Sequence, residues 1–248
     1  MSTRTRRREF FQHETHRLES LSDGVCAIAL TLLIFDVVST AKSVPDGKRL
    51  AEHLAGEWPT LVAFLVGFLT ILVCWINHHW IFQFVRRSDG GLVWINGLQM
   101  LFVSAVPLPT AVLAANFFGE GRRAALIMYG VEFWLITASY YVLWRYVVGR
   151  GLTDRSVDAD RFPGVAPMYL FAVIWTVLSA LVAAFSTIPA LIMWALMFVV
   201  FANPSGFARF AASRMNHAGA HAGGADQPES GENPGADPDA DPDVERTQ

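Results

Sequence analysis

Apolar residues along the chain gather into six blocks, at about 20–39, 58–85, 92–116, 124–148, 165–186 and 188–210. A helix needs about 20 residues to cross a hydrocarbon core of about 30 Å, so each block has the length of a span. Blocks five and six are nearly continuous; Ser186-Thr187 before Pro189 marks their split, since proline cannot continue a helix from the preceding turn. The pattern predicts an all-α polytopic membrane protein with six transmembrane helices.

Basic residues follow the same division. Arg4, Arg6, Arg7, Arg8 and Arg17 precede the first block, Arg86 and Arg87 follow the second, Arg145, Arg150, Arg155 and Arg161 separate the fourth from the fifth, and Arg209 and Arg214 follow the sixth. Alternate loops hold only Lys42, Lys48, Arg49, Arg122 and Arg123. Thirteen against five is a positive-inside bias that puts both termini in the cytoplasm and requires an even number of spans.

Composition sharpens this picture at the ends. The chain is 53% hydrophobic, which is high for a soluble domain. Residues 1–16 form a basic cytoplasmic segment, 17–212 a transmembrane domain, and 213–248 an acidic tail with almost no large apolar side chain to offset its ordering entropy. His217 and His221 could hold a metal, but they stand there as lone exposed residues without further ligands. A basic start, an apolar run and small Ser39 and Ala41 are also compatible with a secretory signal, but Asp36 inside the run argues against it. Cys26 and Cys74 both lie in apolar blocks and read as buried free thiols. A phosphate loop, a zinc-protease helix, a nucleophile elbow, a T-V-G-Y-G filter and an arginine-studded voltage sensor are all missing, which leaves no enzyme motif, no cofactor and no nucleic-acid partner to argue for.

The first block holds the least ordinary pattern. Only twelve residues separate Asp23 from Asp36. That is about 18 Å of helix, too little to keep both carboxylates clear of the hydrocarbon. At about 100° per residue, Gly24, Thr31 and Phe35 fall within about 60° of Ile28, flanked by Leu21 and Leu32, while Asp23 points about 140° away. A capping box over Ser20–Asp23 accounts for the serines but not for the short interval to Asp36. Thr31 by itself reads as a threonine bonded to a carbonyl one turn back. The second block offers Asp23 a partner: Trp75, Asn77 and His78 lie at a matching depth, and intramembrane ionisable groups usually face the bundle and pair. An interfacial aromatic belt is the alternative and suits Trp80 and His79 better. A His78–His79 metal site has no third ligand.

These residues carry a resemblance. Arg17-x-x-x-Leu21-Ser22-Asp23 followed by GVCAIALTLLIFD resembles the R-x-x-x-F-S-D signature of the endosomal/lysosomal-type potassium channel family, in its prokaryotic branch. Trp75-x-x-His78-x-x-x-Phe82 resembles that family's second-helix motif, and residues 96–114, with Pro107, Pro109 and Thr110, resemble its third helix. The resemblance implies six spans per subunit and a homotetramer around one pore lined by the first helix, in the plasma membrane. It implies Ile28 as the apolar constriction, Thr31 one turn on as a contributor to selectivity, and Phe35 another turn along, on the stripe that includes Gly24. Arg17, Ser22 and Asp23 are implied to hold the helix through Trp75 and His78. Leu21 stands where the signature has phenylalanine, which bears on packing beside this network.

The function expected is therefore a leak-like channel conducting K+ over Na+ passively, with monovalent cations as its only ligands. A ring of isoleucines offers no oxygen in place of hydration water, so the cation that sheds water more cheaply passes. The rival is a proton-coupled transporter using Asp23, His78 and Asp36 as a relay. A membrane enzyme or assembly factor has no motif in its favour.

Overall fold

The computed structural model describes residues 3–46, 49–153, 164–204 and 206, with side chains described from residue 15 onward. Every regular element among them is helical: α1 (Thr3–Leu32), α2 (Ile34–Lys42), α3 (Leu50–Gly56), α4 (Trp58–Phe82), α5 (Gly90–Ala105), α6 (Pro107–Ala115), α7 (Arg122–Gly149), α8 (Val165–Ala183) and α9 (Thr187–Phe201). The chain is a multi-pass membrane protein. Five stretches are long and apolar enough to cross a bilayer, namely Thr15–Lys42, Trp58–Phe82, Gly90–Ala115, Arg122–Gly149 and Val165–Ala183.

The sixth block is shorter as described. α9 has 15 residues, about 22 Å of helix against a core of about 30 Å. The rest of the block expected over 188–210 lies largely outside the described residues, as does the acidic tail. α8 gives way to α9 at Ser186, whose φ of −147° is extended, and Pro189 sits in the first turn of α9. There its missing N–H breaks no hydrogen bond.

Two further boundaries differ from the apolar blocks. α1 starts at Thr3, well before residue 20, because arginine and glutamate favour helix as much as leucine does. The third block divides into α5 and α6 at Val106, where Pro107 cannot donate to the turn behind it.

α7 is the hub. It packs against α5, α6 and α8, and half of its apolar window is buried. A Cβ on Gly130 would stand 2.9 Å from the Ala180 Cβ, so the missing side chain is what lets α7 and α8 approach. Hydroxyls pair across the bundle: Thr137 with Thr176 at 3.1 Å, and Thr70 with Tyr129 at 3.1 Å. Tyr140 donates from α7 to the Cys74 carbonyl of α4. Each such pair satisfies groups that no water can reach.

The end that holds Arg86, Arg87 and Arg150 is stitched by one carboxylate. Asp89 caps α5 by accepting from the Leu92 amide at 2.9 Å, accepts the Tyr146 hydroxyl proton between its two oxygens, each 3.0 Å away, and lies 3.6 Å from Arg150 Nε. Partial burial pushes its carboxyl up, but the Leu92 amide, the Tyr146 hydroxyl and Arg150 outweigh that and hold it below the ordinary carboxylate range. The amides of Arg86 and Arg87 donate to the Leu152 carbonyl at 2.9 and 3.2 Å. Gly151 turns that loop with φ +61°, a conformation open to glycine.

Candidate functional site

The first span, α1 continued through Leu33 into α2, has two unlike faces. On one, Cys26, Ala29 and Leu33 are buried against the bundle. On the other, Leu21, Ile28, Leu32 and Phe35 are exposed, Ile28 at 62% and Phe35 at 64%, with Gly24 and Thr31 exposed among them. No other described helix of the subunit covers the stripe expected from the helical wheel.

The covered face is held by polar contacts whose spacing follows from helix geometry. Glu19 and Asp23 are one turn apart on α1, and Trp75 and His79 one turn apart on α4, so the antiparallel helices meet twice. Trp75 Nε1 donates to Asp23 Oδ1 at 2.8 Å, and His79 Nδ1 lies 3.1 Å from Glu19 Oε1. The Trp75 and His79 rings stack with centroids 5.6 Å apart.

A second cluster lies deeper. Asn96 of α5 donates through Nδ2 to the Ser22 hydroxyl at 3.0 Å, and its Oδ1 lies 2.8 Å from His78 Nε2. Ser22 also donates to the Leu18 carbonyl at 2.9 Å. Asn96 Oδ1 is an acceptor, so His78 donates from Nε2. All three residues are buried, and together they join α1, α4 and α5.

Of the residues expected to form one network, Ser22, Asp23, Trp75 and His78 do meet across α1, α4 and α5, in two separate sets. Asn77 does not join them. Lying about 100° round α4 from His78, it turns to the opposite side. There its amide donates to the carbonyls of Val73 and Phe201 at 2.8 and 2.9 Å and accepts from Tyr169 at 3.3 Å. Arg17 is exposed and makes no hydrogen bond or ion pair among the described residues. The groups of the proton relay do not bond to one another: Asp23 is on Trp75, His78 on Asn96, and Asp36 about 20 Å further along the first helix.

Two members of the site escape a reading of the sequence. Asn96 looks like an isolated amide at the start of an apolar block; Gln99 one turn on, also fully buried, is the signal that this face of α5 points inward. Glu19 reads as part of a charged lead-in, and only its one-turn spacing to Asp23 hints at a shared partner. Thr31 donates to the Ile28 carbonyl at 2.8 Å, the back-bond that its spacing suggests. Just beyond, at Leu33, the helical ladder lapses between α1 and α2, although φ −58° and ψ −29° remain helical.

Comparison with known proteins follows the same residues. The family described as endosomal/lysosomal potassium channel TMEM175 matches residues 17–107, the part of the chain that carries both polar clusters and the stripe. A potassium channel of Chamaesiphon minutus is 35% identical over 161 residues, 64% of this chain and 79% of that protein. One of Streptomyces collinus is 39% identical over 150 residues, 59% of this chain and 71% of that protein. The crystal structure of a lysosomal potassium-selective channel TMEM175 homolog from Chamaesiphon minutus superposes with a TM-score of 0.67 at 32% identity, covering 77% of this chain and 97% of that one.

Proposed function

Because this chain belongs to the endosomal/lysosomal potassium channel TMEM175 family, we propose that it is a potassium channel whose pore is lined by the exposed stripe of α1. The relatives carry the first half of that statement. The second half rests on one observation: the face of the first span bearing Gly24, Ile28 and Thr31 of α1 and Phe35 of α2 is left bare by its own subunit, while the opposite side is tied by the buried Ser22–Asn96 bond and by the exposed Asp23–Trp75 bond. A helix that must hold its side chains at a set distance from copies of itself needs such fixing.

Four subunits around one axis would bring four copies of the stripe together, with Ile28 at the narrowest level and Thr31 one turn on. The isoleucine side chains exclude water from the constriction, so passage requires an ion to give up part of its hydration. Potassium does so more cheaply than sodium. In that frame Thr31 supplies hydroxyl oxygens beside the ring whenever it lets go of the Ile28 carbonyl. The bias of basic residues supports cytoplasmic termini and an even number of spans, and the setting proposed for them is the plasma membrane. No cofactor is needed beyond the permeant ion.

Purified protein in liposomes tests this. A tetramer by native mass that passes K+ faster than Na+ down its gradient, without dependence on a proton gradient, is the expected outcome. A monomer, or flux strictly coupled to protons, would overturn it.

A further inference from the structure

The joint between α1 and α2 is seated on a single glycine. Gly67, in the middle of α4, is buried, and a Cβ built there would stand 3.0 Å from Leu33 Cδ2, 3.1 Å from Thr110 Cγ2 and 3.2 Å from Thr110 Oγ1. Leu33 is the residue at which the ladder lapses, and it is 1% exposed. Register along the two helices is consistent with this seat. The step of four residues from Glu19 to Asp23 meets the step of four from His79 to Trp75, and ten further residues to Leu33 meet eight further to Gly67.

The two neighbours of Gly67 are not equally able to move. The Thr110 hydroxyl donates to the Val106 carbonyl at 2.7 Å, and threonine is β-branched, so this side chain is locked to its own helix. Leu33 meets Gly67 with the end of a flexible side chain carried by a helical joint. Leu33 is 1% exposed and packed on every side, so its side chain has no free space to turn into, and bulk added at Gly67 is passed on to the joint that carries it. Leu33 faces the bundle and Ile28 faces away from it, so a push on Leu33 moves this stretch of the first helix toward the side that Ile28 faces.

We propose that Gly67 is a positioning residue for conduction: by carrying no side chain it sets how far the Leu33 joint, and with it the Ile28–Thr31–Phe35 stripe, stands from the channel axis. Glycine within a helix is costly relative to alanine, and close approach is what it gives in return. The polar contacts at Asp23 and Ser22 fix the stripe at one end and the Gly67 seat fixes it at the other. This rests on the reading of α1 as the pore helix.

The test compares Gly67→Ala with Gly130→Ala, whose added Cβ meets Ala180 at 2.9 Å between α7 and α8, away from the first helix. Both crowd a helix contact. Gly67→Ala in liposomes should lower K+ flux and change the K+/Na+ flux ratio by about threefold or more, while Gly130→Ala leaves the ratio unaltered in the protein that folds. Adding Leu33→Val, which removes the contacting Cδ2, should restore the flux of Gly67→Ala. Should Gly67→Ala fail to accumulate, Leu33→Val alone reads the same contact with the opposite sign, and flux should rise. An unchanged ratio in Gly67→Ala, no rescue by Leu33→Val, or an equal change in Gly130→Ala overturns the inference. Ile28→Asn is measured beside them. If it alters flux while Gly67→Ala does not, only the seat fails; if neither alters flux, the pore reading fails as well.

Discussion

α1 and α7 are built from similar apolar residues, yet 17% of the apolar window around α1 is buried inside the subunit against 50% for α7. α7 turns its hydroxyls inward, onto Thr70, Thr176 and the Cys74 carbonyl, and gives up a side chain at Gly130 to bring α8 close. Its polar groups serve packing. The first span divides its labour instead: Ser22 and Asp23 of α1 tie one side to α4 and α5, and the other side presents Ile28 of α1 and Phe35 of α2 to whatever lies outside the subunit. In a bilayer, exposure of apolar side chains is no evidence of function by itself. What distinguishes α1 is that an exposed helix is fixed so firmly from behind.

If α7 is scaffold and the bare stripe of α1 is not, substitutions should separate stability from flux. The largest loss of stability is expected from Gly130→Leu, which must force α7 from α8. Overpacking of this kind costs about 3 kcal/mol or more, read as a lowered unfolding midpoint in detergent. Next comes Asn96→Leu, which strands the buried His78 Nε2, while Ser22 keeps its bond to the Leu18 carbonyl, and should cost about 2 kcal/mol by the same assay. That change loosens the covered face of α1, so altered flux should accompany it. Trp75→Phe removes the donor to Asp23 and should cost about 1 kcal/mol, the ordinary worth of one hydrogen bond, since the acceptor is exposed.

The smallest effect belongs to the basic end of the bundle. Asp89 is held below its ordinary carboxylate range when folded. Its contribution to stability is thus fully present above the ordinary value and is lost as pH falls through the depressed one. Stability measured against pH should therefore fall on the acid side, and Asp89→Asn should flatten that fall while lowering stability at neutral pH. Flux should follow stability here and nothing more.

Much of the bundle was legible because apolar blocks and basic loops are set by the bilayer, which acts on every span alike. Four of the blocks correspond to membrane-long helices or helix pairs whose ends lie within a few residues of expectation, and the Ser186 split was marked by Pro189. The start of α1 was not legible, because charged residues favour helix and hydropathy is blind to them. Nor was the division at Val106, which an apolar block bridges despite Pro107. At the site, the stripe followed from helical spacing, but the direction of a polar residue within an apolar helix did not. Asn77 and His78 are adjacent in sequence and serve opposite sides of α4; only the packing of α5, α8 and α9 decides which of them meets α1. Asn96 was hidden for the same reason.

The central claim is that ions pass along the bare face of α1 and meet their narrowest point at Ile28. The most direct measurement is the K+/Na+ permeability ratio, with total K+ flux, in liposomes holding wild type, Ile28→Asn and Val131→Asn. Val131 is an exposed apolar residue of α7, so it controls for a polar group placed on the subunit surface. Ile28→Asn should raise K+ flux by about tenfold, the effect of lowering a barrier by about 1.4 kcal/mol, and bring the ratio toward one, while Val131→Asn leaves both as in wild type. Unchanged flux and ratio in Ile28→Asn, or equal changes in both variants, would contradict the account.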